Sequence, residues 1–322
     1  MKLGVGIPAK STSAYRVPPH RSVQFVKRAE EYGFAGAWAL EHLTRPTSYR
    51  TSFQDPLTTL AMVAGETDTI DIGTSILILP MRNPVLVAKR AATIQNLSGQ
   101  RLTLGLGQGY LEEEYDAVGV PFEERHRRFT EGLALLYRLL NQDTVTFDGQ
   151  FYQVEDFHLE PTLTRAPRIL AGGGGKEIDG EWKVARGVKE RIAMVDGWLS
   201  SSGAAIEKTW PVLADHIESK GDNPTRADRV GLQHIHLVPG DDEELVREKQ
   251  RKVFHDFVTE KRGIEYADNQ CLTGTIDQIV DRLRQYEATG FDQVILHPAA
   301  HEPRDLDEQL DLWADHLLPA FS

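Results

Sequence analysis

The sequence predicts a single α/β domain over residues 1–322, folded as a (β/α)₈ TIM barrel. Short apolar runs alternate along the chain with amphipathic stretches of helical length, a pattern that produces parallel strands joined by right-handed crossovers. Eight such strands can be counted. A chain of 322 residues suits one closed barrel, because such barrels commonly contain about 250 residues or more.

Each predicted strand is a short apolar or alternating run, and in chain order the eight are Leu3–Ile7, Ala35–Leu40, Ile70–Leu79, Arg101–Leu106, Arg168–Ala171, Gly197–Ser200, Arg229–Val238 and Gln293–His297. The predicted helices carry apolar residues on one face and cover Ser22–Tyr32, Asn83–Leu97, Glu123–Leu140, Lys183–Val195, Asp241–Lys261, Thr275–Glu287 and Leu306–Leu317. Two insertions are expected, a β-hairpin near 144–159 and a helical segment near 241–268. Asp148-Gly149 would supply the positive φ of the hairpin turn.

Composition excludes several classes of partner. The net charge of −12 would repel nucleic acid and anionic membranes, so neither is expected to bind. No stretch approaches the ~18 apolar residues of a membrane span, and the first residues resemble a strand rather than a signal peptide. The single cysteine, Cys271, excludes a disulfide within the chain and is typical of a cytoplasmic protein.

The candidate site lies where the strands end, because (β/α)₈ barrels place their chemistry at the C-terminal ends of the strands. The residues at or after these ends are His42 after the second strand, Thr74 and Ser75 in the third, Gly107, Gln108, Gly109 and Tyr110 after the fourth, and Gly172, Gly173, Gly174 and Lys176 after the fifth. Glycine lets backbone N–H groups approach an anion closely. The fifth-strand run therefore predicts either a phosphate site, to which Lys176 could add charge, or merely a tight turn.

Neither glycine run matches the dinucleotide fingerprint G-x-G-x-x-G. The third glycine would be required at Tyr110 or Glu112 in the fourth-strand run and at Glu177 in the fifth-strand run. A Rossmann domain is therefore rejected.

Histidines offer two interpretations. His42 is suited to acid–base chemistry near neutral pH, although a structural role is also open. His234 and His236 face the same way at a spacing of two, and without a neighbouring carboxylate they are interpreted as structural rather than as metal ligands. No metal site is predicted. Glu112-Glu113-Glu114 is interpreted as a solvated helix start.

A resemblance to a known family covers nearly the whole chain. Its carrying segments, in order, are Arg28–Phe34, Trp38–His42, Asp55–Leu57, Ile72–Pro80, Arg82–Pro84, Gln95–Gly107, Gly119–Arg125, Asp196–Trp198 and Leu272–Thr275. With this ordered set the sequence resembles the bacterial luciferase-like superfamily of flavin- and F420-dependent oxidoreductases.

That resemblance implies reduced FMN or F420 at the strand ends. The ring would lie over a bulge at Ser75 and Ile76, next to Thr74, where the peptide can be a non-proline cis bond. Gly107, Gln108 and Gly109 would line the cleft, and Gly172, Gly173, Gly174 and Lys176 would contact the phosphate. His42 would assist the reaction with oxygen or contact the substrate. Tyr110 stands where some F420 enzymes place a proton-donating glutamate.

Three functions remain open. The first is an FMNH₂- and O₂-dependent monooxygenase of a small organic substrate, supplied with reduced flavin by a separate reductase. The second is an F420-dependent hydride-transfer enzyme, and the third is a flavin-binding barrel without catalysis. The resemblance also suggests a homodimer. The loops give no code for the substrate.

Overall fold

The computed structural model describes residues 1–8, 18–44, 53–200, 206–257, 271–300 and 303–321. Its strands, in chain order, are β1 (Lys2–Gly6), β2 (Gly36–Ala39), β3 (Asp71–Ile78), β4 (Leu102–Gly107), β5 (Val145–Asp148), β6 (Gln153–Phe157), β7 (Arg168–Gly172), β8 (Gly175–Ile178), β9 (Glu181–Val184), β10 (Gly197–Ser200), β11 (Asp228–Ile235), β12 (Cys271–Leu272) and β13 (Gln293–Pro298). Eight of them pair in parallel in the order β1-β2-β3-β4-β7-β10-β11-β13, and β13 returns to β1. The barrel is therefore closed, and the predicted fold class is confirmed.

Helices surround this barrel. In chain order they are α1 (Pro19–Tyr32), α2 (Pro56–Glu66), α3 (Pro84–Leu97), α4 (Glu112–Ala117), α5 (Arg125–Asn141), α6 (Arg186–Ile192), α7 (Ile206–Ser219), α8 (Glu243–Phe257), α9 (Ile276–Ala288) and α10 (Pro303–His316). Local sequence fixes several of their ends. Asp55 caps α2 through the Thr58 amide, Asn83 caps α3 through the Val85 amide, and α1 stops at Gly33 with φ 90°.

Two stretches depart from the predicted helices. Helix α2 was not predicted, because its apolar residues follow no clear helical face; six of its eleven residues are buried. The helix predicted from Lys183 is wrong over its first residues, since Glu181–Val184 forms β9, which pairs with β8, and α6 begins only at Arg186. Asp179 and Gly180 turn this β8–β9 hairpin with φ of 55° and 76°. Asp-Gly is the expected signal for such a turn.

The predicted hairpin near 144–159 is confirmed as β5 and β6, although its turn has another cause than expected. Gly149 does not adopt a left-handed φ. Instead the Glu131 carboxylate on α5 accepts the backbone N–H groups of Gln150, Phe151 and Tyr152, at 3.0, 2.7 and 2.9 Å. A Cβ at Gly149 would lie 2.2 Å from this carboxylate. Glycine is required at this position because the Glu131 carboxylate approaches the backbone closely. Strand β6 starts at Gln153, two residues later than the start predicted at Phe151.

The predicted helical insertion near 241–268 is observed as α8 over Glu243–Phe257, and residues 258–268 lie outside the described part of the chain. Among the described residues, no helix is both long and apolar enough to cross a membrane.

The barrel interior contains an apolar cluster. Side chains from five strands pack together inside it, namely Trp38, Leu170, Leu199, Val230, Leu232 and Ile295. The half-buried side chains of Leu40 and Ile76 pack on this cluster. Both residues stand at the C-terminal ends of their strands, so they form the floor of any cleft above the barrel. The larger core lies between the strands and the helices.

Candidate active site

The end of β3 is irregular where the sequence predicted a bulge. The peptide between Ser75 and Ile76 is cis, and the register with β4 shifts between Ser75 and Leu77. Thr74 is fully buried and its hydroxyl donates to the Gly105 carbonyl at 2.7 Å. Ser75 is also buried, yet its hydroxyl has no hydrogen-bond partner in the structure. A buried hydroxyl of this kind is typical of a site that a ligand completes.

Glycine backbone surrounds the Ile76 side chain. A Cβ at Gly107, the last residue of β4, would lie 2.0 Å from Ile76 Cδ1, and one at Gly172 would lie 3.4 Å from Ile76 Cγ2. Gly109 has φ 67°, a conformation that favours glycine. Side chains at these positions would displace Ile76 or cover it. The two glycine runs therefore leave the floor of the cleft accessible.

Gln108 connects this strand end to the helices outside the barrel. Its carbonyl accepts a hydrogen bond from the Tyr115 hydroxyl, and its side-chain Oε1 lies 2.7 Å from His126 Nδ1 on α5. Burial, with the positive charges of Arg125 and Arg191, lowers the pKa of His126. These contacts hold the β4 end against the first turn of α5.

The run after β7 forms an open turn. Gly173 has φ 153°, and its carbonyl accepts a hydrogen bond from Trp198 Nε1 at 2.6 Å. A Cβ at Gly174 would meet nothing within 4 Å. Lys176 lies on the exposed strand β8, opposite Lys183. The turn thus presents unobstructed backbone beside the end of β4.

His42 is paired with the carboxylate of Glu114, which was expected from the sequence to be exposed to solvent. Helix α4 does begin at Glu112, but Glu114 is 1% exposed, which corrects the interpretation of this run as fully solvated. His42 Nδ1 lies 3.2 Å from Glu114 Oε1, which also accepts the Leu43 amide at 2.6 Å. No local signal distinguishes Glu114 from Glu112 and Glu113, because its burial comes from contacts with residues distant along the chain.

These contacts keep Glu114 charged. Burial acts to raise the pKa of Glu114, but hydrogen bonds from His42 and from the backbone amides of Thr44 and Leu43 outweigh it and leave the pKa lowered. An ionised carboxylate at Nδ1 fixes a proton there. The Nε2 atom of His42 is consequently available to a ligand as acceptor, or as donor when the ring is protonated.

Aromatic side chains stand around the His42 ring. The Tyr110 ring lies edge-on to it at a centroid distance of 5.5 Å, and Phe53 lies at 5.6 Å. Tyr110 is 48% exposed, so it forms the outer wall of this corner. The structure therefore brings together His42 and Tyr110, which the sequence singled out as catalytic candidates.

Glu41 precedes His42 and supports the β3 end from below. It is 6% exposed, its Oε2 accepts the Ile78 amide at 2.6 Å, and Oε1 pairs with Arg82. Arg82 Nη2 also lies 3.6 Å from Asp55 Oδ2. Burial raises the pKa of Glu41 to about 7, even against the attraction of Arg82.

This raised pKa predicts a pH dependence of stability. Between pH 4.5 and 7 the folded state holds the Glu41 proton more tightly than the unfolded chain, so stability falls as pH rises through this window. The free energy of unfolding should fall by up to about 3 kcal/mol from this group. Urea unfolding of Glu41→Gln should lack that part of the slope between pH 5 and 8. An unchanged slope would contradict the assignment.

The remaining histidines do not act as a matched pair. His234 is buried in β11, and its ring contacts His297 at a centroid distance of 5.0 Å. His236 lies beyond the end of β11, where Nδ1 and the Ala299 carbonyl are 2.8 Å apart. These contacts agree with structural roles, and His297 stands inside the barrel against Gly6, where an added Cβ would lie 2.4 Å from its ring.

Taken together, the strand ends suit a planar cofactor with a phosphate. They offer an apolar floor at Ile76, a buried hydroxyl at Ser75 that lacks a partner, and glycine backbone at Gly107 and Gly172 that a Cβ would obstruct. The turn at Gly174 leaves room for a group outside the barrel rim. This donor set matches a flavin-type ring with an anionic tail.

Comparisons with known proteins bear on the family and the fold. The family model described as luciferase-like monooxygenase matches residues 1–293. The F420-dependent glucose-6-phosphate dehydrogenase of Kineococcus radiotolerans is 28% identical over 67% of this chain and 64% of that protein. The FMNH(2)-dependent dimethylsulfone monooxygenase of Pseudomonas putida is 24% identical over 90% of this chain and 85% of that protein. Among solved structures, the monooxygenase RslO1 of Streptomyces bottropensis superposes with a TM-score of 0.82, at 21% identity and full coverage of both chains.

Proposed function

Because this chain belongs to the luciferase-like monooxygenase family, we propose that it is a reduced-FMN-dependent monooxygenase of a small organic substrate. The observation that carries the proposal is the arrangement at the strand ends, where the half-buried Ile76 lies against Gly107 and Gly172. His42, paired with Glu114, follows the neighbouring strand β2. The named relatives include both FMN- and F420-dependent oxidoreductases. Members of this family are oxidoreductases, so catalysis is favoured over a binding role alone.

The residues would divide the work as follows. Ile76 would support the ring, Ser75 and the backbone of Gly107 would donate to its polar edge, and the turn at Gly172–Gly174 would hold the phosphate. Lys176, on the exposed hairpin, could add charge to that turn. When bound, the reduced flavin supplies the electrons that activate oxygen.

His42 would act on the reacting side of the ring. Glu114 keeps a proton on Nδ1, so Nε2 can hydrogen-bond to the oxygen being transferred or take a proton from the substrate. Tyr110 and Phe53 would shield this corner from water and contact the substrate. The role of Tyr110 as a second proton-handling group stays a prediction.

Charge at the cleft favours FMN over F420. The longer, more anionic tail of F420 calls for free basic groups at the cleft mouth, and Arg82 follows β3 in this region. In the structure the Arg82 side chain is already engaged by the carboxyl group of Glu41 and lies 3.6 Å from that of Asp55. At the position where some F420 enzymes carry a glutamate, the chain has Tyr110.

F420-dependent hydride transfer is the second candidate, and the His42–Glu114 pair favours it. A histidine backed by an ionised carboxylate is well suited to remove the hydroxyl proton of an alcohol while hydride leaves its carbon. The dehydrogenase named among the relatives uses F420. The two candidates differ in the cofactor that binds.

An anaerobic titration separates these candidates. Purified protein is titrated with reduced FMN and, in parallel, with reduced F420. Saturable binding of FMN together with weak F420 binding is the expected result, followed by substrate-dependent oxygen uptake when a flavin reductase and NADPH are added. Preferential binding of F420 would overturn the monooxygenase proposal in favour of hydride transfer. Binding of neither cofactor would contradict both.

A further inference from the structure

Arg191 is a buried cation that the site described so far does not use. It lies in the last turn of α6 and is only 4% exposed. Burial lowers its pKa to about 10, so the side chain is still charged at neutral pH. Charged groups are rarely buried unless they are paired, because removing them from water is costly. The position of this charge therefore calls for an explanation.

The described part of the chain provides Arg191 with no carboxylate partner. Its Nη1 donates to the Thr130 hydroxyl at 3.2 Å, and the guanidinium faces the Phe129 ring at 5.0 Å from the centroid. The Nε–H has no hydrogen-bond partner. A guanidinium carries five N–H donors, so most of its hydrogen-bonding capacity is unused.

Helix α6, which carries Arg191, packs against the turn after β7. A Cβ at Gly187, in the first turn of α6, would lie 3.2 Å from Arg191 Nη1, so the side chain reaches back toward the start of that helix. The neighbouring Val188 would lie 3.0 Å from a Cβ at Gly173. The helix that contacts the glycine turn through Val188 therefore also carries the buried charge, one helical turn further along.

A chain of contacts connects the guanidinium to the end of β4. Thr130, its hydrogen-bond partner, donates to the carbonyl of His126, whose ring contacts Gln108. The positive charges of Arg125 and Arg191 both act on His126. Arg125 is itself directed to the Phe122 carbonyl at 2.8 Å, and the described residues give it no ion pair. The region between α5 and α6 is consequently positive and lacks a compensating anion.

We propose that Arg191 binds the phosphate monoester of the cofactor and makes the site selective for FMN over riboflavin. The inference rests on the proposed function for the identity of the ligand. A guanidinium matches a phosphate through two parallel N–H···O bonds and a full positive charge, a geometry that the point charge of a lysine does not provide. An incoming dianion would supply the partner that the buried charge lacks. Arg191, rather than the exposed Lys176, then determines the phosphate preference.

The matched variants are Arg191→Met, which keeps the length and the contact with Phe129, and Arg186→Met on the same helix as a control. The side chain of Arg186 is 89% exposed. For wild type and both variants, the dissociation constants of reduced FMN and of reduced riboflavin are measured anaerobically. Arg191→Met should weaken FMN binding about 30-fold and leave riboflavin binding unchanged. The control should bind both flavins as wild type does.

Two further readouts keep the test decisive. Without ligand, Arg191→Met should unfold at an equal or higher temperature than wild type, because it removes an unpaired buried charge. Inorganic phosphate, compared with chloride at equal ionic strength, should raise the unfolding temperature of wild type and not of Arg191→Met. A merely structural arginine would instead lower the unfolding temperature when replaced.

The outcomes separate this inference from the proposed function. If wild type binds FMN and riboflavin equally, or if Arg191→Met retains FMN affinity, the inference is overturned while the proposed function stands. If no flavin binds but phosphate stabilises wild type through Arg191, the proposed function fails and the anion site remains. If phosphate raises the unfolding temperature of wild type and Arg191→Met equally, and FMN binds both equally tightly, the anion site is rejected.

Discussion

Replacing His42 by alanine is expected to lower turnover about 100- to 10,000-fold while the affinity for reduced FMN changes little. Glu114 holds Nδ1 of the imidazole, so Nε2 is the ring nitrogen that this proposal assigns to the reaction. The floor at Ile76 and the glycine turns do not depend on it. Steady-state oxygen uptake and anaerobic flavin titration measure the two effects separately.

Two variants control this prediction. His158→Ala replaces an exposed histidine beside the β5–β6 hairpin, whose Nδ1 lies 3.1 Å from the Asp143 carbonyl, and should keep full activity. Glu114→Gln keeps an oxygen for the Leu43 amide but loses the charge at His42. The double variant should then be no slower than His42→Ala, because residues that act as a unit are not additive. Loss of activity in His158→Ala, or full activity in His42→Ala, would contradict the role of His42.

Replacing Gly107 by valine is expected to weaken flavin binding at least about 100-fold. A Cβ alone would lie 2.0 Å from Ile76 Cδ1, so the valine must displace the side chain that forms the floor of the cleft. Its methyl groups would also enter the space over Ile76 in which the flavin ring is proposed to lie. The expected result is a folded protein that no longer binds reduced FMN, measured by titration alongside circular dichroism.

A glycine outside the site serves as the matched control. Gly65 lies exposed in α2, where an added Cβ meets nothing within 4 Å and φ is not left-handed. Gly65→Ala should leave flavin binding unchanged and stabilise the protein by roughly 0.5–1 kcal/mol, because alanine reduces the entropy of the unfolded chain. If Gly107→Val bound FMN as tightly as Gly65→Ala does, the ring could not lie over Ile76.

The sequence predicted the barrel because each strand can be recognised from its own amino-acid composition. Runs such as Ile70–Leu79 are almost uniformly apolar, and the strand observed there differs by one residue at each end. Glycine runs and His42 were recognisable as site residues because parallel strands all end at one side of a barrel. The local pattern could not show which helix residues contact those strand ends.

Glu114 and Arg191 illustrate the missing part. Each is a charged residue on a helix, where solvent exposure is the ordinary expectation. Their burial arises from contacts distant in sequence, with His42 in one case and with Thr130 and Phe129 in the other. The β8–β9 hairpin differs from these two residues, because its Asp-Gly turn is a local signal in the sequence. The helical pattern that follows it favoured a helix over the same residues.

In the proposed function, FMN binds at the strand ends with its ring over Ile76 and its phosphate at the turn after β7. A crystal structure of the protein soaked with FMN tests it directly. We expect electron density for the ring over Ile76, with the phosphate at the turn that contains Gly174. Density for FMN at another surface would contradict this proposal, whereas a phosphate at the turn but directed away from Arg191 would overturn only the inference about Arg191.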